Sequence, residues 1–170
     1  MLSGLDKSQF ALIGEHGLPE NYPIPSKVDG LLFFIQRNLN MNTVVYVLNK
    51  NLDGTVNEHY PMNVYWIKYT NGGQVQELNY IQNKLAFGYE SNMISNNVFE
   101  ITMVSQKKLR FFLCLDADSG SYRIVTKIND KNAYLNNIYV YAEEFGLFPD
   151  VKYIELYGLE AESLFPSYQR

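Results

Sequence analysis

The sequence predicts an all-β fold, mainly an antiparallel sandwich or barrel of about eight strands, with one short α-helix near residues 77–87. Three observations carry that expectation. The run Leu31-Leu32-Phe33-Phe34-Ile35-Gln36-Arg37-Asn38 is followed, after an Asn-containing connector, by Thr43-Val44-Val45-Tyr46-Val47-Leu48, two β-branched and aromatic segments that read as a hairpin. Both segments are apolar on both faces, so their strands are covered on two sides or line an enclosed interior. Aromatic residues make up 15% of the chain, with 14 Tyr and 10 Phe, and such side chains suit pleated surfaces. Turn chemistry recurs at short intervals in a chain with eighteen Asn: Asp53-Gly54, Asn71-Gly72-Gly73, Asp118-Ser119-Gly120 and Asn129-Asp130.

The elements follow in order. Residues 1–29 hold Pro19, Pro23 and Pro25, half of the six prolines, and are expected to form an extended N-terminal segment packing on the body. Within it Phe10 and Ile13 are expected to contact the body from a short helix. Residues 30–170 form a single β-rich domain. Strands are expected at about 31–37, 43–49, 63–70, 97–104, 109–116, 121–128, 134–141 and 152–158. The segment Gln76–Gly88 breaks the alternation, because Leu78, Ile81 and Leu85 step by three and four and Gly88 stands where a helix cap would. A buried stripe of Leu78, Ile81 and Leu85 would leave Asn79, Gln82 and Asn83 outward; a strand through 78–82 is the alternative.

Alternation also assigns faces. Leu31, Phe33, Ile35 and Arg37 share one side of the first strand; Leu32, Phe34, Gln36 and Asn38 share the other. Val64, Trp66 and Lys68 oppose Tyr65, Ile67 and Tyr69. Arg37 and Lys68 therefore each end an apolar row, as a charge does when its stem is inside and its head reaches a rim. Pairing with a carboxylate such as Glu100 is the plainer account of these cations. The functional one sets a cation at the mouth of an aromatic-lined cleft beside Tyr46 and Trp66.

Composition excludes several classes. The formal net charge of −4 argues against a nucleic-acid partner, which calls for a strongly basic face. No apolar run approaches the ~20 residues of a membrane span, so the chain is expected to be soluble. The start Met1-Leu2-Ser3-Gly4 lacks the apolar core of a secretory leader, although a leader removed earlier would leave no trace. The single cysteine, Cys114, lies in Phe111-Phe112-Leu113-Cys114-Leu115 and reads as a small buried hydrophobe, not a nucleophile.

Catalytic patterns are missing: no nucleophile elbow, no Walker loop and no dinucleotide glycine fingerprint. His16 and His59 are too few for a histidine-rich metal site, and Asp116 with Asp118 lacks the oxygen series of a calcium loop and reads as a turn. No cofactor and no metal is expected. The candidate ligand-binding residues are Gln36, Arg37, Asn42, Tyr46 and Trp66, with Tyr80 and Lys84 added if the helix caps the cleft.

In order along the chain, Phe33-Phe34-Ile35-Gln36-Arg37-Asn38, Asn42-Thr43-Val44-Val45-Tyr46, Val64-Tyr65-Trp66-Ile67 and Leu78-Asn79-Tyr80-Ile81-Gln82 resemble an uncharacterised bacterial domain family of unknown function. The resemblance spans about residues 22–160. It implies a family met in Bacteroides-like organisms, often behind a secretion leader, and so a periplasmic or cell-envelope location. It carries over no catalytic residue. The expected function is a non-catalytic extracytoplasmic binding module with an aromatic and Arg-lined cleft for a small or oligomeric polar ligand, such as a glycan. A structural or interaction domain using Tyr134, Tyr139, Tyr141, Tyr153 and Tyr157 is the alternative. An enzyme using carboxylates and Arg37 is the weaker one.

Overall fold

The structure, a computed structural model, describes residues 21–145 and 148–161, with the Phe145 and Phe148 side chains left undescribed. It is mostly β. Ten strands run in chain order: β1 Leu31–Arg37, β2 Asn40–Leu48, β3 Met62–Lys68, β4 Gln74–Glu77, β5 Tyr89–Ser95, β6 Val98–Met103, β7 Phe111–Asp116, β8 Ser121–Ile128, β9 Lys131–Phe145 and β10 Phe148–Glu160. Between β4 and β5 lies a short helical segment, α-helical over Tyr80–Gln82 and π-helical over Asn83–Phe87.

All ten strands belong to one curled sheet, ordered β4-β3-β2-β1-β9-β8-β7-β6-β5, with β10 on β9. The long strand β9 organises it. Along one edge β9 pairs antiparallel with β8 over 131–134 and then parallel with β1 over 137–140; its other edge carries β10. Two antiparallel arms, β1–β4 and β5–β8, therefore spring from successive halves of the same edge and fold over each other. The side chain of Asn38 extends the parallel ladder: its amide donates to the Ala142 carbonyl at 2.8 Å, and its oxygen accepts from the Ala142 N–H at 2.7 Å.

The main core fills the space between the arms. Phe33, Ile35, Val44, Tyr46, Met62 and Trp66 from one arm meet Phe99, Ile101, Met103, Phe111, Leu113 and Ile124 from the other, with Leu135 and Ile138 of β9 at the junction. Each fully buried side chain of this size contributes roughly 1.5–3 kcal/mol. The outer face of the first arm (Phe34, Val45, Val47, Ile67) is covered in part by Ile24 and Val28, which explains why β1 and β2 are apolar on both sides. Val98, Phe112, Cys114 and Val125 form a second outer cluster.

Several expectations need correction. The alternation in β1 holds for Phe33, Ile35 and Arg37 but not for its start: a bulge between Leu31 and Phe33 puts Leu31 on the outer face and Leu32 inside. The strands β4 and β5 were not expected. Both lie at the sheet's ends and are exposed over most of their length, so they carry no apolar alternation. β9 and β10 run well past their expected bounds, because a hairpin of that length tolerates Glu143, Glu144 and the edge-compatible Pro149. Only Leu78 of the predicted helical stripe packs on the core; Ile81 and Leu85 are 59% and 61% exposed. Gly88 adopts extended backbone instead of a left-handed cap. It is needed there because a Cβ would collide with the Asn83 carbonyl. The contacts expected of Phe10 and Ile13 lie outside the described residues.

Candidate functional site: a cavity between the arms

The strand β1 walks from the packed interior to an opening. Phe33 stacks on Tyr46 with ring centroids 4.2 Å apart and meets Phe111 at 6.1 Å. Two residues on, Ile35 lines a cavity of about 570 Å³, and two further on Arg37 stands beside it. The walls come from every part of the fold: Ile35 and Trp66 from the first arm, Met103 and Phe111 from the second, Ile138, Val140 and Ala142 from β9, Val151 and Ile154 from β10. Ile81, Gln82, Leu85, Ala86 and Phe87 of the helical segment form one side. The volume lies within the ~300–1,000 Å³ range of small-molecule sites. Polar groups are few: Arg37, Gln82, Ser105 and Gln106. Among the described lining residues there is no carboxylate, histidine or cysteine.

Trp66 is held on several sides. Its indole N–H donates to Gln82 Oε1 at 3.2 Å, and Phe87 meets it edge-on at 5.2 Å. The same Gln82 oxygen accepts from the Asn79 N–H at 3.0 Å, while Gln82 N–H donates to Asn79 Oδ1 at 2.8 Å, so the capping box that starts the helix also anchors the indole. Gln82, expected to face outward, is thus half-buried and structural to the site.

Two cations meet the same indole. The Arg37 guanidinium carbon lies 4.8 Å from the Trp66 ring centroid and the Lys68 ammonium 4.2 Å. Neither forms an ion pair with a described carboxylate; Glu100, the partner expected for them, binds Arg110 at 2.8 Å. Arg37 Nη2 donates to Asn40 Oδ1 at 3.1 Å, but its Nε–H is buried with no acceptor among the described residues. Burial pulls the Arg37 pKa below its ordinary value. Lys68 is lowered by desolvation first and by repulsion from Arg37 second. An unsatisfied buried donor costs about 1–3 kcal/mol, and more when charged. Among the described residues no carboxylate pairs with either of these charges, which sit against an apolar wall.

Of the residues singled out from sequence, the structure brings Arg37 and Trp66 to one concavity. Gln36 points to the opposite face, fully buried, where its amide donates to the Pro23 carbonyl at 3.3 Å and meets Asn137. Asn42 is buried at the hairpin end, its Oδ1 accepting from Thr70 N–H and Oγ1–H at 3.0 and 2.9 Å. Tyr46 lies deeper in the core, its hydroxyl donating to the Phe87 carbonyl at 2.7 Å. Tyr80 and Lys84 are exposed on the helical segment, where Lys84 Nζ donates to the Tyr80 hydroxyl at 3.1 Å. Sequence reasoning missed Met103, Ile138, Val140, Ile154 and Gln82, since only the topology brings their strands to one opening.

The fold and cavity define a small β domain with a ligand-sized space between its arms. The chain belongs to the family described as Domain of unknown function (DUF4833), whose model matches residues 33–170. No curated protein and no solved structure matches it. No helix among the described residues is long and apolar enough to cross a membrane.

Proposed function

We propose that the domain is a non-catalytic binding module for a small ligand, whose apolar body occupies the cavity between the arms and whose polar end meets the Arg37–Trp66 rim. One observation carries this reading: a ligand-sized apolar cavity ends at the half-buried Arg37, which has no carboxylate partner among the described residues. The wall favours a more apolar ligand than a glycan. The absence of acidic, histidine and cysteine side chains among the described lining residues supports binding over chemistry. The same proposal sets the module outside the cytoplasm, supported by the resemblance to a family met behind secretion leaders; fractionation of the source cells tests it.

Thermal-shift screening with fatty acids, aromatic acids, sterols and oligosaccharides tests the binding itself. A ligand at 100 times its Kd adds about 2.7 kcal/mol, which moves the melting temperature by several degrees. Val140→Phe, which fills the cavity, should abolish the shift. A shift that survives Val140→Phe would place binding elsewhere.

The alternative interaction surface has less support. Tyr134, Tyr139, Tyr141 and Tyr153 are half-buried and Tyr157 is fully buried, with Tyr141 stacked on Tyr153 at 5.0 Å and Tyr139 packed against Tyr22.

A further inference from the structure

The binding reading leaves the ligand's chemistry open, and the site constrains it. The wall is aliphatic over most of its depth, from Phe111 at the floor to Val151 near the opening. At the rim Arg37 lies over the Trp66 indole, which also carries Lys68 from outside the cavity lining, and neither cation has a described counter-charge. The Asn40 side chain accepts from one guanidinium nitrogen, and the Nε–H is sealed off without an acceptor among the described residues. A neutral ligand would fill the wall and leave that charge uncompensated. An acid supplies a counter-charge that the described residues do not, because a carboxylate accepts from a guanidinium and offsets one of the two positive charges.

We propose that the cavity binds an aliphatic monocarboxylic acid, its chain along the wall and its carboxylate on Arg37 with Lys68 alongside. This rests on the reading of the cavity as a ligand site. No covalent step is involved. Recognition is divided: chain length sets the apolar contribution, and the head group sets the electrostatic one. Above the acid's own pKa of about 4–5 the carboxylate is ionised and binding is full; below it the head is protonated and the charge contribution is lost.

Trp66 is the single tryptophan, so its fluorescence reports occupancy directly. The experiment titrates the intact chain with linear acids of six to fourteen carbons, and with the alcohols of equal length. The expected result is a Kd that falls about fourfold per methylene, the equivalent of ~0.8 kcal/mol each, until the cavity is full. Each acid should bind at least tenfold more tightly than its alcohol. Arg37→Gln should erase the difference between acid and alcohol while keeping the dependence on chain length. Lys68→Gln should reduce that difference without abolishing it, and serves as the second probe should Arg37→Gln fail to fold. Equal affinity of acids and alcohols, or an unchanged preference in both variants, overturns this inference and leaves the cavity reading standing. Silence from the whole series, in fluorescence and in melting temperature alike, overturns the aliphatic-acid inference; the broader cavity reading falls only if the thermal-shift panel is also silent.

Discussion

The two ends of the space between the arms are built differently. At one end Phe33, Tyr46, Met62, Phe99 and Leu113 fill the interior, and the edges are drawn together by Tyr89, whose hydroxyl donates to the Met62 carbonyl at 2.6 Å and accepts from the Met62 N–H at 2.8 Å. At the other end Ile35 of β1, Met103 of β6 and Ile138, Val140 and Ala142 of β9 leave about 570 Å³ between them. The ladder is interrupted near the open end, by a register shift in β1 between Ile35 and Arg37 and by a β6–β7 pairing that stops at Ile101 and Phe111. Side-chain volume adds to this. Interdigitated aromatic and aliphatic side chains close one end, and at the other Ile35, Val140 and Ala142 leave space beside Arg37.

The largest test compares two deletions of equal size. Leu113 is fully buried at the closed end, whereas Ile138 lines the cavity. Leu113→Ala should cost near the upper part of the ~2–5 kcal/mol range for such truncations, about 4 kcal/mol, because all its neighbours are lost at once. Ile138→Ala should cost about 2 kcal/mol, since one side of Ile138 already lacks partner atoms. Urea denaturation of both variants decides it. Equal losses would mean that the two ends are equally well packed.

A smaller effect singles out the closed end. Removing the Tyr46 hydroxyl leaves the Phe87 carbonyl without that donor, so Tyr46→Phe should cost about 1–2 kcal/mol. It should also change the pH profile. Burial, first, and the nearby Tyr60 and Tyr89, second, push the Tyr46 pKa well above its ordinary 10.0. A raised folded-state pKa means that the folded chain keeps its proton where the unfolded chain has lost it. Stability is then complete below about pH 10 and falls as the pH rises beyond it. Tyr157, pushed up to about 12, and Cys114, also about 12, act in the same direction, mainly through burial. The urea midpoint should therefore be level up to about pH 9 and decline towards pH 12, less steeply in Tyr46→Phe. An identical slope in the two proteins would remove Tyr46 from the account.

The open end should respond to Arg37 in the opposite direction. Replacing the half-buried guanidinium, whose Nε–H has no acceptor among the described residues, with an apolar side chain of similar length removes a desolvation cost at the loss of one exposed hydrogen bond to Asn40. Arg37→Met should leave stability unchanged or raise it by up to about 1 kcal/mol, at the expense of acid binding. A loss of more than 2 kcal/mol would make Arg37 a structural residue, held chiefly by Asn40 and Trp66.

How much of this difference can be read in the sequence depends on the distance over which each feature is encoded. The hairpin of β1 and β2, the turns at Asn129-Asp130 and Gly120, and the alternation that sends Arg37 and Trp66 to one side are local, and they are legible. The positive φ of Asn129 and Asp130, 52° and 64°, is what that dipeptide suits in a tight two-residue turn. The bulge at Leu31 is not legible, since an apolar residue is acceptable on either face. Nor is the parallel pairing of β1 with β9, which joins residues about a hundred positions apart and alone places Val140 and Ala142 opposite Arg37. Gln36 shows the limit most clearly: it neighbours Arg37 in sequence, but the pleat sends it to the other face. The fully exposed β4 offered no apolar pattern to read.

The smallest expected effect on stability concerns the helical segment. Leu85 is 61% exposed although it lines the cavity, so it stands at the mouth and not in the wall's depth. Its truncation removes little buried area, and Leu85→Ser should shift the unfolding free energy by no more than about 0.5 kcal/mol. Binding should nevertheless feel it. A chain long enough to reach the opening would lose contact with Leu85, while a short one seated on Phe111 would not. The variant should therefore weaken binding of the longest acids several-fold and leave the shortest unaffected, which titration of Trp66 fluorescence resolves. Uniform weakening across all lengths would move Leu85 from the mouth to the floor, and would break the division of this cavity into a packed end and an open one.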